Sequence, residues 1–213
     1  MITTTNQKYK ITDIPHDRYP FLHRIQALRD IGSEVKAGDL GGFVENEGNL
    51  SSEAGDDAWI FDQAIACGDA YVDMCSYLRD EAIACGRTYV SHGSVLSGHA
   101  RAEDDSYIRG AILTDEARVS GFGKVLHATD ALYSPLLSGK SAVYGSVCGN
   151  VCLTGTALVI RGEEIDNNAP DMLVIDGEKR SIRRDPSRDE LFPKEPEQKR
   201  NRPKNKEKGG PER

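Results

Sequence analysis

The stretch AIACGDAYV at residues 64–72 returns as AIACGRTYV at residues 82–90, an offset of eighteen residues. Within this offset a shorter rule repeats every six positions: a small residue, any residue, and then usually an aliphatic residue. Such internal periodicity is the signature of a solenoid, in which each repeat packs only against its neighbours. The rule holds without interruption for nine pairs: Ala58/Ile60, Ala64/Ala66, Ala70/Val72, Ser76/Leu78, Ala82/Ala84, Thr88/Val90, Ser94/Leu96, Ala100/Ala102 and Ser106/Ile108.

After Ile108 the register slips by one residue and the rule resumes. The fifteen pairs together make fifteen strand-like rungs, or five triangular coils of three rungs each. Val44 and Leu50 before the array, and Val151/Leu153 and Ala157/Val159 after it, predict one or two further imperfect coils. The pairs after the slip are Ala111/Leu113, Ala117/Val119, Gly123/Val125, Thr129/Ala131, Pro135/Leu137 and Ser141/Val143.

The spacing of the repeat determines the fold class. Side chains alternate along a strand, so the small and the aliphatic residue of each rung face the core together. Glycine and acidic residues then fall at the corners, where turns need them. An eighteen-residue triangular coil is typical of an all-β, single-stranded left-handed parallel β-helix, about 25 Å long over five coils. One face would have Ile65 and Ile83 on the outside and only alanines on the inside. This pattern leaves open whether the register of that face is shifted by one residue.

The segments around the repeat predict a capped solenoid with a tail. Residues 1–40 read as a small N-terminal β cap of strands and turns, and residues 41–162 as the β-helix. Residues 163–184 read as a closing segment, in which DMLVIDGEKRSI forms a strand or a hairpin. Residues 185–213 are rich in charge, Pro and Gly and have little to bury, so we expect a disordered tail.

Charge and cysteine content restrict the function and the compartment. The net charge is −7, yet residues 178–213 carry 13 Lys/Arg against 8 Asp/Glu, a net of +5 that leaves −12 for the rest. An acidic body argues against nucleic acid binding, except weakly through the basic tail. The sequence has no apolar run of signal-peptide or membrane-spanning length, and its five cysteines suit free thiols. We expect a cytoplasmic protein that does not bind membranes.

The lead-in IQALRDIGSEVKAGDLGGFVENEGNLS at residues 25–51, followed by six-residue rungs, resembles a group of phage and prophage hexapeptide-repeat proteins. These proteins are usually described as acyltransferases or carry no assigned activity. The resemblance covers residues 8–160, and the lead-in is its specific part. It implies a left-handed β-helix encoded by a bacterium or a phage, and it transfers no catalytic residue to this chain.

Hexapeptide acyltransferases commonly form trimers, bind acetyl-CoA or another acyl-CoA between neighbouring prisms, and use a histidine as general base. His92, His99 and His127 each fall at a predicted corner. If the protein is an acyltransferase, His99 and His92 are the candidates. The repeat predicts no long loop to cover a donor, so we assign no catalytic residue and no cofactor.

Other reactive side chains have simpler interpretations. Cys67 and Cys85 stand one coil apart in one column, about 4.8 Å from each other, and free thiols are favoured over a disulfide. Neither has a base beside it in the repeat, as a nucleophilic cysteine would need. The carboxylates follow the corners and lack the ligand order of a calcium loop, so we predict turn residues and no metal site: Asp62, Asp80, Asp104, Asp105, Asp115 and Glu116.

The aromatic residues form columns on the outer surface. Tyr71, Tyr89 and Tyr107 recur at eighteen-residue steps and should stack as one ladder, while Trp59 and Tyr77 begin a second that Val95 continues. Such ladders either stabilise the strands or form an interaction face. We favour a non-catalytic interaction protein that self-associates, with a trimer as one arrangement, or binds a host protein through its acidic, Tyr-bearing faces. A trimeric acyltransferase is the alternative.

Overall fold

The structure, a computed structural model, describes residues 6–184 and has three parallel β-sheets wound around one core. In this part of the chain the only helical segment is a 3-10 turn at Glu47–Asn49. The strands are β1 (Tyr9–Pro15), β2 (His23–Ala27), β3 (Leu40–Val44), β4 (Trp59–Ile60), β5 (Ile65–Ala66), β6 (Tyr71–Val72), β7 (Tyr77–Leu78), β8 (Ile83–Ala84), β9 (Tyr89–Ser91), β10 (Val95–Leu96), β11 (Arg101–Ala102), β12 (Tyr107–Arg109), β13 (Ile112–Leu113), β14 (Arg118–Val119), β15 (Lys124–Leu126), β16 (Leu136–Leu137), β17 (Ala142–Val143), β18 (Ser146–Gly149), β19 (Val151–Thr154), β20 (Leu158–Val159), β21 (Glu164–Asn167), β22 (Met172–Asp176) and β23 (Lys179–Arg183).

Three faces alternate along the chain, so each coil of the solenoid contributes one strand to each face. The leucine face has its inward leucines on β7, β10, β13, β16 and β19, and with β4 and β22 it runs through seven coils. The alanine face consists of β3, β5, β8, β11, β14, β17 and β20. The tyrosine face consists of β6, β9, β12, β15, β18 and β21. The predicted all-β parallel β-helix is confirmed.

The core is built from the predicted inward pairs. Leu78, Leu96 and Leu113 stack in one column of the leucine face, and each is fully buried. Across the prism, alanines fill both inward positions of β5, β8 and β11 and are fully buried as well. The predicted register of the alanine face is therefore correct. Small residues suit this face because the leucines opposite take up most of the narrow interior.

The predicted slip after Ile108 is confirmed by the pairing of Leu96 with Leu113, which lie seventeen residues apart instead of eighteen. Another predicted rung is wrong. Leu113 pairs next with Leu137, and Thr129 and Ala131 lie in a loop of residues 127–134 between β15 and β16. In this loop Leu132 is 68 % exposed. A loop of eight residues therefore leaves the coils, although the repeat predicted no long loop to cover a donor.

A second irregularity shortens the next coil. Val143 and Val147 both face the core, but they are four residues apart where other coils use six. The chain turns this short corner at Gly145. A Cβ on Gly145 would lie 2.2 Å from the carbonyl oxygen of Glu163 in the following coil. Only glycine allows the two backbones to approach this closely.

Aspartates hold the corners together. Asp62, Asp80, Asp104 and Asp115 have φ between 50° and 63°, the left-handed conformation that Asp tolerates better than most residues. Their carboxylates accept backbone N–H groups of the following coil; Asp80, for example, accepts from the amide of Gly98 at 2.8 Å. The prediction that these are turn residues is confirmed. Asp105 pairs with Arg87, and Glu116 with Lys140.

An antiparallel meander of β1, β2 and β3 covers the first coil, and β3 continues in parallel into the alanine face. Lys8 enters this cap fully buried, and its ammonium donates a hydrogen bond to the carbonyl of Ser51 at 2.9 Å. Burial lowers the pKa of Lys8 to about 8. The cap therefore contains one ammonium group that is costly to keep charged.

At the other end β22 and β23 form an antiparallel hairpin, which settles the choice between strand and hairpin. Gly177 begins its turn with φ of 57°, a conformation that suits glycine. The predicted tail of residues 185–213 lies outside the described residues. No helix in residues 6–184 has the length and hydropathy of a membrane span.

Candidate functional site

The tyrosine ladder has the predicted geometry. The ring centroids of Tyr71 and Tyr89 are 5.9 Å apart and those of Tyr89 and Tyr107 are 5.4 Å apart, with interplanar angles of 17° and 6°. All three side chains are half-buried. The Tyr89 hydroxyl donates a hydrogen bond of 2.7 Å to Oδ2 of Asp73. Part of the polar surface of the ladder is therefore already bonded within the chain.

Asp73 is 9 % exposed, and within the described residues its Oδ1 has no hydrogen-bond partner. Burial raises the pKa of this carboxyl group, and the hydrogen bond from Tyr89 opposes the rise. Burial also raises the pKa of Tyr89, to about 12. The ladder therefore rests on a carboxylate that ionises at a free-energy cost to the folded state.

We expect Asp73→Asn to raise the free energy of unfolding at pH 7. A carboxyl group with a raised folded-state pKa stabilises the fold below its unfolded pKa and loses that contribution as the pH rises through the folded value. The asparagine keeps an acceptor for Tyr89 and never ionises. The gain should shrink as the pH falls toward 4, as measured by urea unfolding at both pH values. An equal gain at both would contradict this account.

The outer column of the leucine face extends the predicted second ladder. Tyr77 pairs with Val95, Val95 with Ile112, and Ile112 with Leu136. Ile112 is 39 % exposed and the other three are half-buried. The column continues through Cys152 into Val174. Beside its middle part, two residues further along the chain from Val95, Ile112, Leu136 and Cys152, stand the small uncharged side chains of Ser97, Thr114, Ser138 and Thr154. The ends of the column are flanked by charge, by Arg79 beside Tyr77 and by Asp176 beyond Val174.

Trp59 points outward at the start of this column, but it is 1 % exposed. Its ring meets the edge of Tyr9, with centroids 6.3 Å apart, and the backbone at Gly41 packs against it. The cap therefore covers the indole. The prediction that Trp59 belongs to an exposed interaction face is wrong, whereas Tyr77 stays partly exposed beside Phe61.

The candidate histidines do not converge. His92 and His127 share the corner between the tyrosine and leucine faces, two coils apart, with Gly110 between them. His92 is exposed and its Nδ1 lies 3.0 Å from the Ser91 hydroxyl. His127 is half-buried, and its Nδ1 has no partner among the described residues. Within residues 6–184, no carboxylate is hydrogen-bonded to the ring of His92 or His127.

His99 lies at a different corner, before the alanine face, and its Nδ1 is 3.4 Å from Oε2 of Glu81. Gln63, Glu81 and His99 recur at eighteen-residue steps and line a cavity of about 280 Å³. A carboxylate beside Nδ1 orients an imidazole and leaves Nε2 free to accept a proton. The remaining lining residues are His16, Arg18, Tyr19, Ile65, Ile83 and Arg101.

A second cavity of about 180 Å³ adjoins the first and is mainly apolar, with Phe21, Leu22, Cys67 and Cys85 in its lining. Both cysteines are free. A hydrogen bond from the Cys67 thiol lowers the pKa of Cys85 to about 7 and raises the pKa of Cys67. We call the two cavities together the cap groove, because the turn at residues 16–22 forms one of its walls.

Sequence reasoning missed the cap groove, although part of the signal was present. The eighteen-residue spacing of Glu81 and His99 predicts their contact. Nothing in the repeat places Arg18 or Tyr19, because they belong to the cap. In residues 6–184 no cluster of three or more His, Cys, Asp or Glu side chains fits a metal ion. Comparison with protein-family models and with curated proteins finds no match for this chain.

Proposed function

We propose that this protein is a non-catalytic β-solenoid that acts by association, first with further copies of itself through the leucine face. One observation carries the proposal: from Val95 through Ile112 to Leu136 the outer column of this face is apolar and partly exposed, and its neighbouring column is Ser and Thr, without a charged side chain in either. Depletion of charge at the centre is what separates association surfaces from the rest of a protein surface.

Charge explains why a second copy fits this surface. The body that carries this face is acidic, since residues 1–177 have a net charge of −12. Two copies that met through the alanine face would bring like charges together, since Arg101 and Arg118 stand in its outer column, and this costs free energy. The outer column of the tyrosine face contains charged side chains of both signs, Lys124 and Glu164. The leucine face avoids this repulsion over several coils.

The tyrosine face is then free for a protein partner. Tyr71, Tyr89 and Tyr107 form an ordered aromatic stripe, and ordered Tyr side chains lose little conformational entropy on binding. The charged side chains Arg87 and Asp105 pair with each other beside the stripe. This arrangement suits a partner that covers the rings and leaves the ion pair at the rim.

The test is Ile112→Glu, measured by light scattering on the purified full chain. We expect the wild type to have a mass that is a multiple of 23.3 kDa, three copies if it is the predicted trimer. A buried unpaired carboxylate should weaken association at least about 100-fold and yield a monomer. The matched control is Leu158→Glu, the same change at a residue 54 % exposed on the alanine face, which should keep the wild-type mass. A monomeric wild type, or an associated Ile112→Glu variant, would contradict the proposal.

A trimeric acyltransferase is the second candidate, and two observations favour it. His99 has a carboxylate at Nδ1 inside a cavity, and the loop at residues 127–134 supplies the kind of projection that covers a donor. The loop lies at the corner of His127, whereas His99 lies at another corner. Within one copy of the chain the loop and His99 are therefore not brought together. The test is to add acetyl-CoA to the protein together with an amine or sugar acceptor. A raised melting temperature and release of free CoA would favour this candidate over the first.

A further inference from the structure

We propose that the cap groove binds a small amphipathic carboxylate, with its apolar part over the two isoleucines and its charged head at the arginines. The site lies on the alanine face and does not depend on self-association through the leucine face. Its ligand class follows from the shape of the groove, its cations, and the charge of the surrounding surface.

The two halves of the groove form one continuous surface. Tyr19, Ile65, Ile83 and Arg101 line both cavities. Ile65 is almost fully covered by Leu22 and Phe43, whereas Ile83, one coil further, is only half-buried. The groove is thus the step where the cap ends and the outer surface of the alanine face begins. An alkyl chain placed there would complete the burial of Ile83, which is favourable.

Cations stand at the polar end. The Arg18 guanidinium lies 5.4 Å from the Tyr19 ring centroid, and within the described residues it forms no ion pair. One nitrogen of Arg101 is 3.3 Å from Glu103, and the Arg101 side chain remains 51 % exposed. Guanidinium groups bind carboxylates through two parallel hydrogen bonds. Both arginines therefore retain donors for an anionic head.

His16 adds a neutral donor. Its Nδ1 accepts the backbone N–H groups of Arg18 and Tyr19, at 3.0 Å and 3.3 Å. With Nδ1 occupied as an acceptor, the ring proton is on Nε2, which can donate. The ring is held against Phe43, with centroids 4.6 Å apart. The turn at residues 16–22 thus presents two kinds of hydrogen-bond donor from one rigid element.

The charge balance of the groove favours an anionic head. Two arginines line the groove on a body with a net charge of −12 over residues 1–177, which makes it a local site of positive charge. Glu81 is the single carboxylate among the lining residues, and it is shared with His99. A carboxylate with an alkyl or aryl body matches both halves.

The test is calorimetric titration of the full-length protein with octanoate, with octanol and octylamine as neutral and cationic analogues of equal chain length. We expect octanoate to bind and the two analogues to bind at least about tenfold more weakly, since hydrogen bonds to a charged group are stronger than those between neutral groups. Arg101→Ala should weaken octanoate binding about tenfold. The matched control is Arg118→Ala, the register partner of Arg101 in the next coil and outside the groove. Both arginines pair with Glu103, so we expect this variant to bind octanoate within about twofold of the wild type, a far smaller change than that of Arg101→Ala.

Three results would overturn the proposal: no octanoate binding, equal binding of octanol, or equal weakening by both arginine substitutions. Arg101 and Arg118 are exposed, so both variants should fold, and their melting temperatures verify this. The light-scattering mass should not change in either variant. A failure here is therefore distinguishable from a failure of self-association.

Discussion

Gly145→Ala is expected to lower the free energy of unfolding by about 3 kcal/mol or more, a large effect for the addition of one methyl group. The new Cβ would lie 2.2 Å from the carbonyl oxygen of Glu163 and 2.5 Å from that of Ile160. Both obstacles are backbone atoms of the next coil, so no side-chain rotation relieves them. Relief requires the short corner between β17 and β18 to open, which disturbs the packing of Val143 and Val147.

Urea unfolding monitored by circular dichroism measures this effect. The control is Gly55→Ala, because a Cβ on Gly55 meets no atom within 4 Å and its φ is not in the left-handed region. That variant should stay within about 0.5 kcal/mol of the wild type. A Gly145→Ala variant as stable as the control would contradict this prediction. It would show that the corner between β17 and β18 can open without loss of stability.

The second large effect is a dependence on alkaline pH that comes from Lys8. Its pKa is about 8 in the folded protein and 10.5 in the reference state. Between these values the unfolded chain binds more protons than the folded chain, so the free energy of unfolding rises with pH. At 1.36 kcal/mol per pKa unit the rise approaches about 3 kcal/mol by pH 10.5.

The contribution of Lys8 is isolated by comparison with Lys8→Met, which keeps an unbranched apolar chain and lacks the ammonium. Other groups titrate in this range; Tyr89, with a pKa raised to about 12, destabilises the fold as the pH passes the unfolded tyrosine value. The difference between the wild type and Lys8→Met cancels such groups. It should shift by about 3 kcal/mol in favour of the wild type from pH 7 to 10.5. A constant difference would mean that Lys8 is not desolvated in the fold.

Most of the solenoid was predictable because its core depends on local repetition. The inward pair of each rung is readable from six residues, and a one-residue slip, as after Ile108, changes the spacing without breaking the rule. The predicted rung at Thr129 and Ala131 was wrong because a small residue followed two positions later by alanine also occurs by chance. Leu136 shows which residues form the next rung, because it pairs with Ile112 and continues the apolar outer column.

The surface was less predictable because distant segments cover parts of it. An outward Trp59 follows from its position between Ala58 and Ile60, but the repeat contains no information that Tyr9 and Gly41 bury it. The same holds for the cap groove: Glu81 and His99 are one coil apart, whereas Arg18 reaches them only through the fold of the cap. Lys8 shows the same dependence, because its acceptor Ser51 lies forty-three residues away.

The loop at residues 127–134 also shows how this architecture tolerates growth. The strands before and after it keep their pairing with both neighbouring coils, although eight residues leave the prism between them. Hydrogen bonds in a solenoid join only adjacent coils, so extra length at a corner strains nothing further along. This corner is thus a natural place to insert a peptide epitope or a fluorescent label.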